Sequence, residues 1–179
     1  MKPPIPFPLA LNIGTDIVHL PRIARLLTRH NGTYLARFTR RILHPREQAD
    51  FRARFPLSSA PLPVHRPQCQ AQSQPRSRHS SSLESPEQIT PDMTRWLAGR
   101  FAAKEAARKA APRGAAQLGW KDVIVRVSAV DEGRPEVVYL DDASGASGEG
   151  HGCEGGGRVG KLSISHDGEY VVAMVLAAG

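Results

Sequence analysis

The segment that most constrains this fold is one that cannot pack into it. Between Pro56 and Asp92, seven prolines and eight serines occupy 37 positions, with glutamine and scattered charge among them. No apolar period survives there, so the stretch cannot bury enough surface to offset its ordering entropy. The part before it offers one strand and the part after it several. Neither flank is self-sufficient, so both must share a core. The segment therefore reads as an insertion within one domain spanning 1–179, and a chain of 179 residues is long enough for such a core.

Before the insertion, Leu9 to Val18 reads as a strand ending near Asp16. Pro21 suits the first turn of a helix. In that helix Ile23, Leu26 and Leu27 make one face and Arg22, Arg25 and Arg29 the other, and Asn31-Gly32 ends it. "TYLARFTRRIL" is a second amphipathic helix, and Pro45 opens a third. After the insertion, "WLAGRFAAKEAARKA" (Trp96 to Ala110) is rich in strong helix formers. Val123, Val125 and Val127 alternate with Ile124, Arg126 and Ser128 as a strand with one face buried. "EVVYL" is the next strand. Asp141 to Gly160, rich in glycine, reads as a second flexible insertion, at a hairpin. "KLSISHDGEYVVAMVLA" closes the chain as two strands, with His166-Asp167-Gly168 at the turn. Helices grouped first and strands last give an α+β class with an antiparallel sheet packed against helices.

Charge is unevenly placed. His19 to Phe55 holds nine arginines and two acids, which accounts for the whole net charge of +7. Such a field attracts an acidic partner. It is either a solvated face or a docking surface, for an acidic helix or, as runner-up, nucleic acid. Against nucleic acid, the segment lacks the interleaved aromatics of single-strand binders and any zinc-finger or basic-zipper pattern. No apolar run is long enough to cross a membrane. The apolar N-terminal stretch is short and broken by proline, unlike a secretory signal, and no Arg/Ser-rich presequence is visible. Cys69 and Cys153 suggest neither a disulfide framework nor a metal site. The compartment expected is mitochondrial or cytoplasmic, with the first strand so close to Met1 that a free-standing protein is expected.

Three patches could carry chemistry: "IGTDIV" with Asp16, "RFAAKEAARK" with Glu105, and "LSISHDGEY" with His166. Asp16 and Glu105 are hard-oxygen ligands of the kind magnesium takes, one or two at a time, beside water and phosphate oxygens. The alternatives are that Asp16 caps the following helix and that Glu105 pairs with Lys109 one turn on. Ser165 could donate to a phosphate, and His166 is either a phosphate contact or a plain turn residue.

Together these patches, with "RFTRRIL" and a glutamate soon after, the Gly133-Arg134-Pro135 turn and the terminal "LSISHDGEYVVAMVLA", resemble the holo-[acyl-carrier-protein] synthases, the small 4'-phosphopantetheinyl transferases. The resemblance spans the chain apart from the two insertions. It implies transfer of 4'-phosphopantetheine from coenzyme A to a serine of an apo acyl carrier protein, with release of adenosine 3',5'-bisphosphate. It implies Mg2+ on Asp16 and Glu105, the pyrophosphate near Lys109, and the nucleotide's phosphates near Arg100, Ser165 and His166. It places carrier-protein docking on the first helix, at Arg22 with Arg25 and Arg29 beside it. Glu105 or a water on the metal would take the serine proton. A homotrimer with sites between subunits is implied too, in lipid and fatty-acid metabolism. The family's Gly-Thr-Gly loop is replaced here by "APRGAAQ".

Overall fold

A computed structural model of the chain describes residues 7–56, 89–112, 114–131, 133–140 and 157–179, the side chains of Asn31 and Gly32 excepted. Most of both expected insertions lies outside the described residues. Their inner boundaries differ from expectation. The helix carrying Glu105 begins at Pro91, where Thr90 caps it by accepting a hydrogen bond from the Met93 amide at 3.1 Å. A proline is favourable at that first position, so Pro91 and Asp92 belong to the helix and not to the insertion. Likewise Gly157 to Gly160 already pair as strand.

In chain order the elements are β1 (Leu11–His19), α1 (Leu20–Leu27), a 3-10 turn (Arg29–Gly32), α2 (Thr33–Ile42), α3 (Pro45–Arg54), α4 (Pro91–Ala110), β2 (Val123–Val127), β3 (Pro135–Leu140), β4 (Gly157–Asp167) and β5 (Tyr170–Ala178). The five strands form one antiparallel sheet in the order β1-β5-β4-β3-β2. The N-terminal strand thus pairs with the C-terminal one along its whole length, Asp16 opposite Ala173 and Val18 opposite Val171.

Two elements differ in detail. The first helix stops at Leu27, short of Asn31-Gly32, because the Thr28 hydroxyl turns back onto the carbonyls of Ala24 and Arg25. A tighter turn follows, with His30 at φ 53°, so Arg29 is off the helix that carries Arg22 and Arg25. In β2, Ile124 is buried along with Val123 and Val125 while Val127 is exposed. Both sides of that strand are covered where it passes α4.

The core lies between one sheet face and α4. Period-2 alternation puts Val171, Ala173, Val175 and Ala177 inward. The helix meets them with Leu97, Ala98, Ala102, Ala103, Ala106, Ala107 and Ala110, all buried. Small side chains let helix and sheet approach closely. At Gly14 the approach is closest: a Cβ there would overlap the Ala106 carbonyl oxygen and come within 2.7 Å of the Ala110 amide. The Tyr139 hydroxyl donates to the Ala107 carbonyl at 2.9 Å and fixes the same helix to β3.

A buried ion pair ties three elements. Glu47 and Lys104, both fully buried, meet at 2.6 Å. Glu47 also accepts from the amides of His44 and Val125, and Lys104 donates to the carbonyls of Trp120 and Val123. Burial holds the Lys104 ammonium below its usual pKa, opposed by Glu47. All three Lys104 protons and both Glu47 oxygens are engaged, which is what such a pair requires to persist in a core.

Candidate active site at the β1–α4 seam

The close contact at Gly14 sets the geometry two residues on. Asp16 shares the inward face of β1 with Gly14 and Val18, so it emerges at α4. There its Oδ1 accepts from Lys109 Nζ at 2.8 Å, and Lys109 also donates to the Thr15 carbonyl at 2.8 Å. The Asp16 side chain is 16 % exposed and that of Lys109 46 %, so the pair opens to solvent. Asp16 does not cap α1, whose first residues have no side-chain cap.

Glu105 lies one turn before Lys109 on α4. It does not pair with that lysine. Its Oε1 accepts from Arg108 Nη1 at 3.2 Å, an i,i+3 contact. Arg108 is itself anchored, Nε to the Leu118 carbonyl and Nη2 to the Ala115 carbonyl, each at 2.7 Å. Its guanidinium also lies over the Trp120 ring at 4.8 Å. The seam therefore presents two carboxylates and a lysine from segments far apart in the chain. Each carboxylate commits one oxygen to a cation. Among the described residues, no cluster of three or more metal-ligating side chains exists. A hard ion that completes its shell with water and phosphate oxygens does not need a third, so the donor set suits Mg2+.

The other expected residues sit elsewhere within one chain. Arg100 is about 13 Å from Lys109 along α4, at 1.5 Å per residue. It stacks on Trp96 at 4.3 Å and lies 3.7 Å from Glu47. Burial lowers its pKa from the usual value, and its Nε has no hydrogen-bond partner. His166 lies not in the turn, which is Gly168-Glu169, but within β4 near its end, exposed and in register with Val171 and Val18, because the ladder to β5 continues through Asp167. Ser165 faces the opposite side of the sheet from Asp16, alongside Val172 and Ile17. Arg22, Arg25 and Arg29 are all exposed. Beyond them lies a groove of about 430 Å³ lined by Tyr34, Arg37, Phe38, Arg40, Arg41 and Lys121. Sequence reasoning registered those arginines as charge but not as a groove, because Lys121 joins from a distant loop. Arg108 and Gly14 were also missed as site residues. A two-residue spacing from Asp16 was the only available sign of Gly14.

Five antiparallel strands in this order, packed against helices, make an α+β fold. The chain belongs to the 4'-phosphopantetheinyl transferase superfamily, whose family model matches residues 12–175, and it is an enzyme of the holo-[acyl-carrier-protein] synthase type. It is 62 % identical over 175 residues to 4'-phosphopantetheinyl transferase B, mitochondrial, of Aspergillus fumigatus, covering 98 % of each chain. It is 31 % identical over 169 residues to the holo-[acyl-carrier-protein] synthase of Geobacillus kaustophilus, covering 94 % of this chain and 88 % of that one. Among solved structures, the holo-(acyl-carrier-protein) synthase of Bacillus anthracis in complex with CoA (3',5'-ADP) superposes with a TM-score of 0.53 at 24 % identity, covering 93 % and 94 % of the two chains. That likeness establishes the fold.

Proposed function

We propose that this chain, as one transferase domain, moves 4'-phosphopantetheine from coenzyme A to a serine of an apo acyl carrier protein in a Mg2+-dependent reaction. The observation that carries the reading is the meeting of Asp16 and Lys109 across the β1–α4 seam, with Glu105 one turn away. A pyrophosphate diester is a polyanion, and the seam offers a solvent-open ammonium beside two carboxylates able to hold a hard cation. The serine oxygen bonds to the β-phosphorus, the bond to the bridging oxygen breaks, and adenosine 3',5'-bisphosphate leaves while the hydroxyl proton passes to base. Mg2+ held by Asp16 and Glu105 would neutralise charge on the pyrophosphate. Lys109 places a second positive charge where the leaving group becomes more anionic. Arg100, Ser165 and His166 serve the nucleotide.

Carrier docking is assigned to the exposed arginines of α1 and its following turn, Arg22, Arg25 and Arg29, continued by the groove along α2. An acidic helical partner complements that surface and would be steered to it. The active assembly is proposed to be a homotrimer. In support, the sheet face away from α4 exposes Ile13, Ile17, Val172, Met174 and Leu176 as one apolar patch, in adjacent register. A patch of this kind marks an interaction surface. Ser165 lies on that outer face, so a neighbouring copy could bring it to another copy's seam. The proposed compartment is the mitochondrion, in keeping with the fungal relative's name, and the proposed pathway is fatty-acid synthesis.

The test follows the product. Release of adenosine 3',5'-bisphosphate should track formation of holo carrier one for one and stop on chelation of Mg2+. Arg22→Glu with Arg25→Glu should raise KM for the carrier and leave KM for coenzyme A unchanged. Hydrolysis of coenzyme A without a modified carrier would refute the transfer.

A further inference from the structure

Arg108 is the most heavily engaged side chain at the seam, yet the proposed chemistry gives it no part. Its three guanidinium nitrogens point three ways: to Glu105, to Ala115 and to Leu118. The ring of Trp120 supports its plane, and Trp120 in turn stacks on Phe101 at 5.1 Å. A planar fork with fixed donor directions serves Glu105 and both loop carbonyls at once, whereas a lysine there would keep only the charge beside Glu105. The α4–β2 loop therefore fixes Arg108, and Arg108 fixes Glu105.

Lys109 needs this arrangement. A glutamate four residues before a lysine on a helix is the favoured orientation for an ion pair, and Glu105 stands in that relation to Lys109. Left alone, the two would meet. Instead Glu105 is held by Arg108, and Lys109 reaches across to Asp16 and the Thr15 carbonyl. We infer that Arg108 is a positioning residue that decides which carboxylate Lys109 takes, keeping Glu105 off the lysine so that Lys109 stays on β1. The loop carbonyls of Ala115 and Leu118 are part of the device, since they hold the guanidinium at Glu105.

The pairing is tested without metal or substrate, in a crystal structure of Arg108→Met, which keeps an apolar stem over Trp120 and removes the charge. Lys109 Nζ is expected on Glu105 and gone from Asp16. Lys109 still on Asp16 would overturn the inference. Should Arg108→Met not fold, Arg108→Gln examined by side-chain NMR of the lysine ammonium gives the same readout. Arg108→Lys restores a charge beside Glu105 and is expected to return Lys109 to Asp16. The kinetic consequence rests on the transferase reading: Arg108→Met should lower kcat several-fold, because Lys109 is drawn away from the leaving group, and Arg108→Lys should recover most of it. Exchanged pairing in a chain without transferase activity would sink the transferase reading and leave the role of Arg108 standing.

Discussion

Lys109 and Asp16 stand 93 residues apart in the chain and 2.8 Å apart in space. Their contact joins the edge strand to the long helix, with the Lys109 ammonium also on the Thr15 carbonyl and Glu105 one turn away. Removing either partner should leave the fold nearly intact, because the exposed pair contributes at most about 1 kcal/mol. It should cost turnover heavily. Asp16→Asn and Lys109→Met are each expected to lower kcat/KM by about a hundredfold or more, the scale of losing one preorganised electrostatic group. Full activity in either variant, measured with the melting temperature unchanged, would remove that residue from the site.

Gly14→Ala should be worse for stability than its size suggests. The added methyl meets the backbone of α4 at Ala106 and Ala110, which has no flexible end to swing away. Overpacking of this kind costs about 1–3 kcal/mol. The helix must also lift from β1, so Asp16 and Lys109 separate. Urea denaturation and transfer rate should fall together. A variant as stable and active as wild type would show that the seam is not tightly set.

Tyr139 gives the fold an alkaline limit. Burial raises its hydroxyl pKa from 10.0 to about 12. The native state therefore keeps a proton that the unfolded chain releases first, and stability falls wherever the unfolded chain binds fewer protons. The Tyr139 contribution is complete below about pH 10 and is lost as pH rises toward 12. Ultraviolet titration should show one of the three tyrosines ionising late, and Tyr139→Phe should flatten the alkaline decline. Three tyrosines titrating together near their ordinary value would contradict the burial.

The outer face of β1 and β5 predicts self-association. Ile13 is 63 % exposed and Ile17 61 %, with Met174 and Leu176 opposite and between them. Ile13→Asp with Leu176→Asp should produce monomers by sedimentation while secondary structure is retained. A wild-type chain that sediments as a monomer at assay concentration would remove the trimer from the account.

Much of this arrangement could be read from the chain, and what could not has a physical cause. The sharing of one core by both flanks followed from a middle segment too polar to pack, and β1 pairs with β5 accordingly. Asp16, Glu105 and Lys109 stood out as motif residues, but their pairing did not. Helical spacing joined Glu105 to Lys109, whereas Arg108, held by two loop carbonyls, takes the glutamate first. No local pattern reports a bond to a loop ten residues on. β5 alternates cleanly, yet both of its faces are apolar, so periodicity could not show which one packs on α4. Glu47 stood out only as the glutamate soon after "RFTRRIL", and nothing in the chain showed that it is wholly buried against Lys104. The closeness of Gly14 to Ala106 depends on a helix nearly a hundred positions later.

The central claim is a covalent transfer, and intact-protein mass spectrometry of an apo acyl carrier protein tests it most directly. Incubated with this chain, coenzyme A and Mg2+, the carrier should gain the mass of one 4'-phosphopantetheine group at its acceptor serine. It should not gain it with Asp16→Ala or Glu105→Ala, each checked to be folded. No mass gain across a panel of fatty-acid, polyketide and mitochondrial carriers would contradict the account.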